Sequence, residues 1–591
     1  MLKHYLTMGI RKLRKNIFYT LISIVGLAIA MGAFVILMNY VSFESDYDAF
    51  LKDSNKIYRA EAYFSRNGTV TDSWATSAFG YAPAMKTAFP EVKEITRISN
   101  HDYERMVRYK NVIYREPRVV LADSNFFSFF SYPLIKGDAK TILKEPNTIA
   151  ISASAAKKYF GNENPIGKIL EISTYKNSFN YSVSGVFADF PSQSHLHLNL
   201  IISYSSATPF LQTTWYIHEA YTYVKTANAI DARSIEKKFP QLAEKYKTAD
   251  VMRDKTWGIN MVPLTEIHLN PIKPYEFEPK GSRQNIQFLF LFGIIILIVG
   301  WVNFINIMTS NAIERAGEIG IRKVAGANTG HLVVQFMWES VLINFAAIVL
   351  FLLAAFTFLP VLEHLYGSEL FYRFWKQPLV WKLILSTFLM GTFITGTIPV
   401  LILKDVKTAL VLKNNMAFKS GMGNGLRQGL IVFQYSAAII LIVATITIRK
   451  QMNFMQSHHL GIEVDQTLVF KTPTRTSNYD QKLETIVQRL KTLSGVKAVT
   501  LSSAVPGKMV GYGMANHREN DPDKVSKLCE MLRVDYDFLN AYNLHLLKGR
   551  NFSADFATDT SAAVILTQNA MHLFGFKNEE DAVNNYVSLE G

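Results

Sequence analysis

Few residues in this chain have types and spacing suited to chemistry. Gly161 to Lys168 come near a phosphate-cradling loop, which needs G-x-x-x-x-G-K-[ST] so that backbone amides can wrap the phosphates. Gly161 and Gly167 stand one residue too far apart, and Ile169 replaces the hydroxyl that would bind Mg²⁺. The segment reads as a turn. His195 and His197 share one face of a candidate strand, beside Ser194. Two histidines fall short of the three protein ligands of a catalytic zinc site, so the pair reads as structural or surface. His458 and His459 are adjacent, and their side chains diverge. Asp46 and Asp48 have the spacing of paired acid–base carboxylates, and are read as capping the exit of a membrane helix. Cys529 is the only cysteine, which excludes an internal disulfide or a Cys-rich zinc site. No nucleophile–base set emerges. The expectation is no catalytic centre, no metal and no cofactor bound by this chain.

The elements that position these residues are set by composition. The chain has 591 residues, enough for roughly four domains. Hydrophobic residues make up 49% and charged residues 19%, which excludes a disordered chain and is too apolar for an ordinary soluble one. Five segments match the length of about 20 apolar residues that spans a bilayer. They are residues 17–40, 286–309, 332–359 (with Glu339 near its start), 383–403 and 429–448. The predicted fold class is an α-helical transmembrane protein with α+β extracytoplasmic domains.

Sixty-two Lys and Arg against 48 Asp and Glu give a net charge of +14. Much of the excess flanks the spans. Lys3, Arg11, Lys12, Arg14 and Lys15 precede the first, Arg315, Arg322 and Lys323 follow the second, and Lys404, Lys407, Lys413, Lys419 and Arg427 follow the fourth. Alternating spans put all three groups on one side, which the positive-inside bias makes cytoplasmic. The basic charge then serves the membrane and its lipids rather than nucleic acid. Residues 1–16 read as a cytoplasmic amphipathic helix. Residues 41–285 and 449–591 become extracytoplasmic, 310–331 and 404–428 cytoplasmic, and 360–382 a short outer loop.

Both large outer segments read as β-α-β units. The first has strands at 57–64 and 92–98 around a helix at 77–88, with further strands at 117–122, 147–152 and 181–187. The second has strands at 467–471 and 496–502 around a helix at 479–493. An ordered series of matches links the two segments: Val92-Lys93 with Val496-Lys497, Asp123 and Phe126 with Asp535 and Phe538, Leu134 to Gly137 with Leu546 to Gly549, and Phe160-Gly161 with Phe574-Gly575. The offset stays between 404 and 414. A complete second unit would bring the chain to roughly 800 residues, so a shortened second unit is expected.

Between the second and third spans stands Arg315-Ala316-Gly317-Glu318-Ile319-Gly320-Ile321-Arg322-Lys323-Val324-Ala325-Gly326-Ala327. Glu318 and Arg322 form an i,i+4 pair and Gly326 can end a short helix, as suits docking on a partner. This segment resembles the R-x-x-E-I-G-I-R-K-V-x-G-A pattern of permeases of the FtsX/MacB type. The resemblance extends over nearly the whole chain. Gly26-Leu27-Ala28 looks like the first-span signature, with Ala30 where glycine is usual. Asp46-Tyr47-Asp48, Ile57-Tyr58-Arg59, Asp123 to Phe127 and Asn164 to Lys168 look like the MacB-type outer domain. Asn303, Asn306, Gln335-Phe336, Glu339-Ser340, Gly396, Pro399 and Leu412-Lys413 match the spans and their ends, while Ala409 departs from a common proline.

The resemblance implies a membrane subunit of an ABC system in the bacterial inner membrane, with a cytoplasmic amino terminus. It implies ATP bound by a separate cytoplasmic ABC ATPase, which docks on the coupling helix formed by Arg315, Glu318, Ile319, Gly320, Ile321, Arg322, Lys323, Val324, Gly326 and Ala327. A homodimer or paired permease and a periplasmic or outer-membrane partner are further expectations. The two-unit family form would have eight spans. Its outputs include peptide, drug or lipoprotein export and mechanotransmission. A non-transporting regulator of a cell-wall hydrolase and an inactive truncated fragment are the alternatives. Gly26 with Ala30, and Ala28 with Gly32, are small pairs expected to pack the first span against the second or fifth. Asn303 and Asn306 are expected to hydrogen-bond between helices.

Overall fold

A computed structural model describes residues 17–99, 105–173, 177–247, 255–276, 280–314, 329–366, 374–403, 422–457, 461–462, 464–472, 479–507, 510, 513–520, 527–583 and 585–590. The coupling segment 315–327, the amino-terminal residues 1–16 and His458-His459 lie outside the described residues.

Five helices are long and apolar enough to cross a membrane. They run Ile17–Ser45, Arg283–Glu314, Thr329–Tyr366, Pro378–Leu403 and Met422–Ser457. The first four form a bundle around Met31, Val35, Trp301, Phe304, Ile343, Ala347 and Phe351. Close approach comes from absent side chains. A Cβ on Gly300 would lie 2.4 Å from the Ala30 Cβ, and one on Gly32 would lie 2.5 Å from the Phe351 ring. The fifth span sits outside this core against the second and fourth. Ala437 is its one fully buried hydrophobic residue among those described.

The first extramembrane domain is built on a thirteen-stranded mixed sheet. Its strands are β1 (Ile57–Arg66), β2 (Thr69–Ser73), β3 (Glu94–Ser99), β4 (Arg105–Tyr109), β5 (Val112–Glu116), β6 (Val119–Ala122), β7 (Leu134–Lys136), β8 (Thr148–Ser152), β9 (Ile169–Ser173), β10 (Ser178–Phe187), β11 (Leu200–Ser203), β12 (Ala220–Lys225) and β13 (Thr256–Pro263). The order is β13-β1-β12-β3-β6-β11-β8-β10-β9-β4-β5, with β10–β8 and β11–β6 parallel. Alternation along β1 and β12 feeds two cores. Ile57, Tyr221 and Tyr223 face a cluster with Phe126, Phe127, Phe129 and Phe130. Tyr58, Ala60, Phe64 and Val224 face one with Tyr81, Trp215, Phe239 and Trp257. Helices start where sequence chemistry allows: Ser152 Oγ accepts from the Ala155 N–H at 3.2 Å, and Asn228 Oδ1 accepts from Ile230 and Asp231. The helix expected at 77–88 begins at Tyr81, because Ser77 is held as a bridge partner of Ala220.

The second extramembrane segment repeats local features of the first. The Asp123 carboxylate accepts the Arg97 N–H at 2.8 Å, and that of Asp535 accepts the Leu501 N–H at 2.8 Å. Ser131 and Asn543 both take the left-handed conformation with φ 51°. The bridge Ser502–Val534 stands where Ile98 pairs with Ala122. Strands β14 (Gly513–Arg518), β15 (Lys527–Glu530) and β16 (Val587–Glu590) pair in the order β15-β14-β16, which reproduces β5-β4-β9.

Two expected strands are corrected: residues 467–471 and 496–502 are not strands. In the first domain β1 lies between β12 and β13, and β3 between β12 and β6. Among the described residues neither 467–471 nor 496–502 joins such a ladder. Leu468 and Phe470 are accordingly 80% and 72% exposed.

Asp123 also grips the Arg97 guanidinium through both carboxylate oxygens. Asp123→Ala is expected to cost about 2 kcal/mol, since hydrogen bonds to charged groups are the stronger ones. Asp535→Ala, which strands no guanidinium, should cost less. Urea denaturation of the full chain in detergent measures both, and an equal or reversed ranking refutes the assignment.

Candidate functional site at the junction of spans and sheet

The first two spans enter the sheet domain through two buried polar joints. The first span ends at Ser45, and the chain turns at Asp48, whose φ of 58° is left-handed. Asp48 has no exposure. Its N–H donates to the Gln193 carbonyl at 2.8 Å. Its carboxylate accepts from Ser194 Oγ at 3.1 Å and from the His195 N–H at 3.2 Å, and lies 2.7 Å from His195 Nδ1. His195 Nε2 is 2.7 Å from the Tyr223 hydroxyl on β12. A chain of side chains thus runs from the end of the first span into the sheet. Gln193 Nε2 adds a hydrogen bond to the Phe43 carbonyl.

The second joint holds the linker that leads into the second span. Arg59 on β1 is fully buried. Its guanidinium donates to Glu61 Oε1 through Nε (3.0 Å) and Nη2 (2.5 Å), and to Glu276 through Nη1 (2.7 Å) and Nη2 (3.1 Å). Lys273 reaches Glu61 at 2.6 Å and Lys280 reaches Glu276 at 2.6 Å. The Tyr221 hydroxyl donates to the Tyr275 carbonyl, and the Ala75 N–H to the Pro274 carbonyl. Burial works against the Arg59 charge, but Glu61 and Glu276 outweigh it and its pKa rises. Burial would raise the Glu276 carboxyl, yet Arg59 and Lys280 hold it below the ordinary carboxylate value. Burial lowers the Lys280 pKa despite Glu276.

A latch ties the two joints together. Glu44 Oε2 in the last turn of the first span lies 2.8 Å from His268 Nε2. The Tyr47 ring stacks on His268 with centroids 3.5 Å apart. Gly281 donates its N–H to the His268 carbonyl, and a Cβ there would lie 2.8 Å from both Glu44 Oε2 and His268 Nε2. Glycine is required for the latch to close. The latch packs the end of the first span directly against the linker to the second.

The sequence-predicted residues fall in several places. Asp46 and Asp48 part: Asp46 accepts from Ser42 Oγ at 2.6 Å, as an exit cap would, while Asp48 turns into the sheet. His195 has both ring nitrogens engaged, so it offers no lone pair to a metal. Gly161 ends a helix with φ 59°, Gly167 turns with φ 79°, and Lys168 pairs with Glu163. Gly26 faces Asn303 across the first and second spans, at 3.6 Å from a notional Cβ, and Ala30 faces Gly300. Gly32 instead meets Phe351 of the third span. Asn306 Nδ2 donates to Gln434 Oε1 of the fifth span at 3.2 Å, so Asn303 and Asn306 serve different helices. Glu339 is buried, with Gln335 Nε2 3.3 Å away. Sequence reading missed Arg59, Glu61, Glu276 and His268. The available signal was opposite charges two apart on one face of an otherwise apolar strand, Arg59 and Glu61.

Arg59→Met leaves two carboxylates beside two lysines and is expected to cost on the order of 3 kcal/mol, as removal of one partner from a buried pair does. Glu276→Gln in the same chain should recover part of that loss. The low folded pKa of Glu276 means that its share of stability is present above its ordinary pKa of 4.5 and is lost as pH falls through the folded value. Chemical denaturation across pH tests both statements, and a wild-type-like midpoint for Arg59→Met overturns them.

Residues 20–242 match the family model of a MacB-like periplasmic core domain, and 290–409 that of an FtsX-like permease C-terminal domain. The pyoverdine export ATP-binding/permease protein PvdT of Pseudomonas aeruginosa is 27% identical over 269 residues, 44% of this chain and 37% of that protein. The macrolide export ATP-binding/permease protein MacB of Escherichia coli K12 is 41% identical over 88 residues, 14% of each. The chain thus spans under two fifths of the length of the curated relatives it matches. Among solved structures, a domain of a putative permease from Porphyromonas gingivalis is 20% identical with a TM-score of 0.32, covering 38% of this chain and 95% of that one. The periplasmic region of MacB from Actinobacillus actinomycetemcomitans is 17% identical with a TM-score of 0.25, covering 34% and 88%. Bundle, extracytoplasmic α+β domain and both family matches agree: the chain belongs to the FtsX/MacB-type ABC permeases.

Proposed function

We propose that this chain is the permease subunit of an ABC export system, driven by a separate cytoplasmic ATPase. The observation that carries this reading is the combination, in one chain, of FtsX-like spans with a MacB-like domain gripped at the exits of the first two spans. The family matches lie in permease domains, and the sequence holds no complete phosphate-binding loop, so ATP belongs to the partner. The docking segment for the ATPase in this reading is 315–327, with Glu318, Ile319, Arg322 and Lys323 meeting it. The amino terminus is cytoplasmic, in keeping with the basic residues around it.

ATP-driven closure pulls on the spans, and the Asp48 and Arg59 joints carry that pull into the sheet. The cargo class is that of the relatives named for export, small amphiphilic compounds such as pyoverdine and macrolides, with peptide or lipoprotein cargo handled by the same mechanics. Residues 449–591 act as a second, paired MacB-like domain. A homodimer or paired permease completes the membrane unit, and a periplasmic or outer-membrane partner receives the output.

Two kinds of variant separate docking from transmission. Gly320→Trp and Arg322→Glu are expected to insert normally and to abolish stimulation of the partner ATPase. Asp48→Ala is expected to retain ATPase binding and to lose ATP-dependent movement of the outer domain, read as distance changes between spin labels on the sheet and the membrane surface. Unchanged ATPase stimulation in both loop variants, or full movement in Asp48→Ala, overturns the reading.

A further inference from the structure

The four spans of the bundle meet at one point beside Gly391. The position a Cβ would take there lies 2.9 Å from Asn344 Oδ1 on the third span and 2.9 Å from Trp301 Nε1 on the second. It lies 3.2 Å from Met31 Cε on the first span. Asn344 is fully buried and Trp301 is 7% exposed. Asn344 Nδ2 donates to the Ser340 carbonyl at 2.9 Å and lies 3.3 Å from Thr395 Oγ1. A carbonyl can only accept, so the amide nitrogen must face Ser340 and Oδ1 must face away from it. Thr395 Oγ1 donates to the Gly391 carbonyl at 2.6 Å. The fourth span therefore holds the amide without engaging its oxygen.

Neither Asn344 Oδ1 nor Trp301 Nε1 has a hydrogen-bond partner among the described residues. The indole nitrogen is a donor only and the amide oxygen an acceptor only. Within a bilayer neither can turn to solvent, and leaving both unmade is costly. Buried water is held where polar groups converge, and apolar cavities stay dry. We propose that Trp301 Nε1–H and Asn344 Oδ1 hold one water molecule beside Gly391, where the four spans converge. The water accepts from the indole and donates to the amide oxygen. The three groups nearest the point carry no charge, which suits a small neutral ligand rather than an ion. A bridging water also accommodates small shifts between the second and third spans that would break a direct hydrogen bond.

Hydroxyl-radical footprinting by X-ray radiolysis tests this on the full chain in lipid nanodiscs, since a bound water yields radicals beside the groups that hold it. Met31 and Trp301 should be oxidised several-fold faster than Met308, which is 6% exposed in the same bundle. Trp301→Phe keeps an aromatic ring and removes the donor, and Gly391→Ala puts a methyl group within 3 Å of both polar atoms. In each variant Met31 oxidation should fall to the Met308 level. Equal oxidation of Met31 and Met308 in the unmodified chain overturns the proposal. So does rapid Met31 oxidation that neither variant changes.

Discussion

Arg59 carries a permanent positive charge in a place that water does not reach. Such a charge is tolerated only if carboxylates surround it with good geometry. Glu61 comes from the same strand, but Glu276 comes from the linker that enters the second span. The sheet therefore cannot release that linker without leaving Arg59 and Glu61 buried, each short of a partner. This constraint places Lys273, Tyr275 and Lys280 along β1 and β12, and it brings His268 to the end of the first span, where Glu44 meets it. Asp48 does the same for the first span, through Ser194, His195 and Tyr223. Both joints fasten the domain to its helices through buried polar groups.

The membrane bundle follows a different logic. Apolar burial gives helices no reason to associate in lipid, so close packing and polar contacts must do so. Gly300 against Ala30 and Gly32 against Phe351 supply the packing. Asn306 with Gln434, and Asn344 with Thr395, supply the polar contacts. Among the described residues the fifth span has one such contact and little burial, and it sits beside the bundle rather than in it.

The internal repeat shows how local and non-local forces divide. The Asp535 hydrogen bond to Leu501, the left-handed turn at Asn543 and the strand order β15-β14-β16 all form between residues 501 and 590. They repeat what Asp123, Ser131 and β5-β4-β9 do. Residues 467–471 and 496–502 keep the alternating apolar pattern of strands and yet form none. A strand is completed by its neighbours, and among the described residues no strand pairs with either segment.

Much was legible in the sequence because it depends on composition and period alone. Five long apolar runs specify five membrane helices, since the hydrocarbon accepts no other local structure. Alternation specifies β1, β3, β8 and β10 to within a few residues. The repeat and the family resemblance also rest on residue order. Tertiary structure alone decided which residues meet. Nothing in the spacing of Glu44 and His268, or of Arg59 and Glu276, pairs residues more than 200 positions apart. Those contacts exist because β12 and β13 bracket β1 and return the chain to the membrane beside the first span. Sequence periodicity reports which face of an element is buried, and only the packing of elements reports what lies against that face.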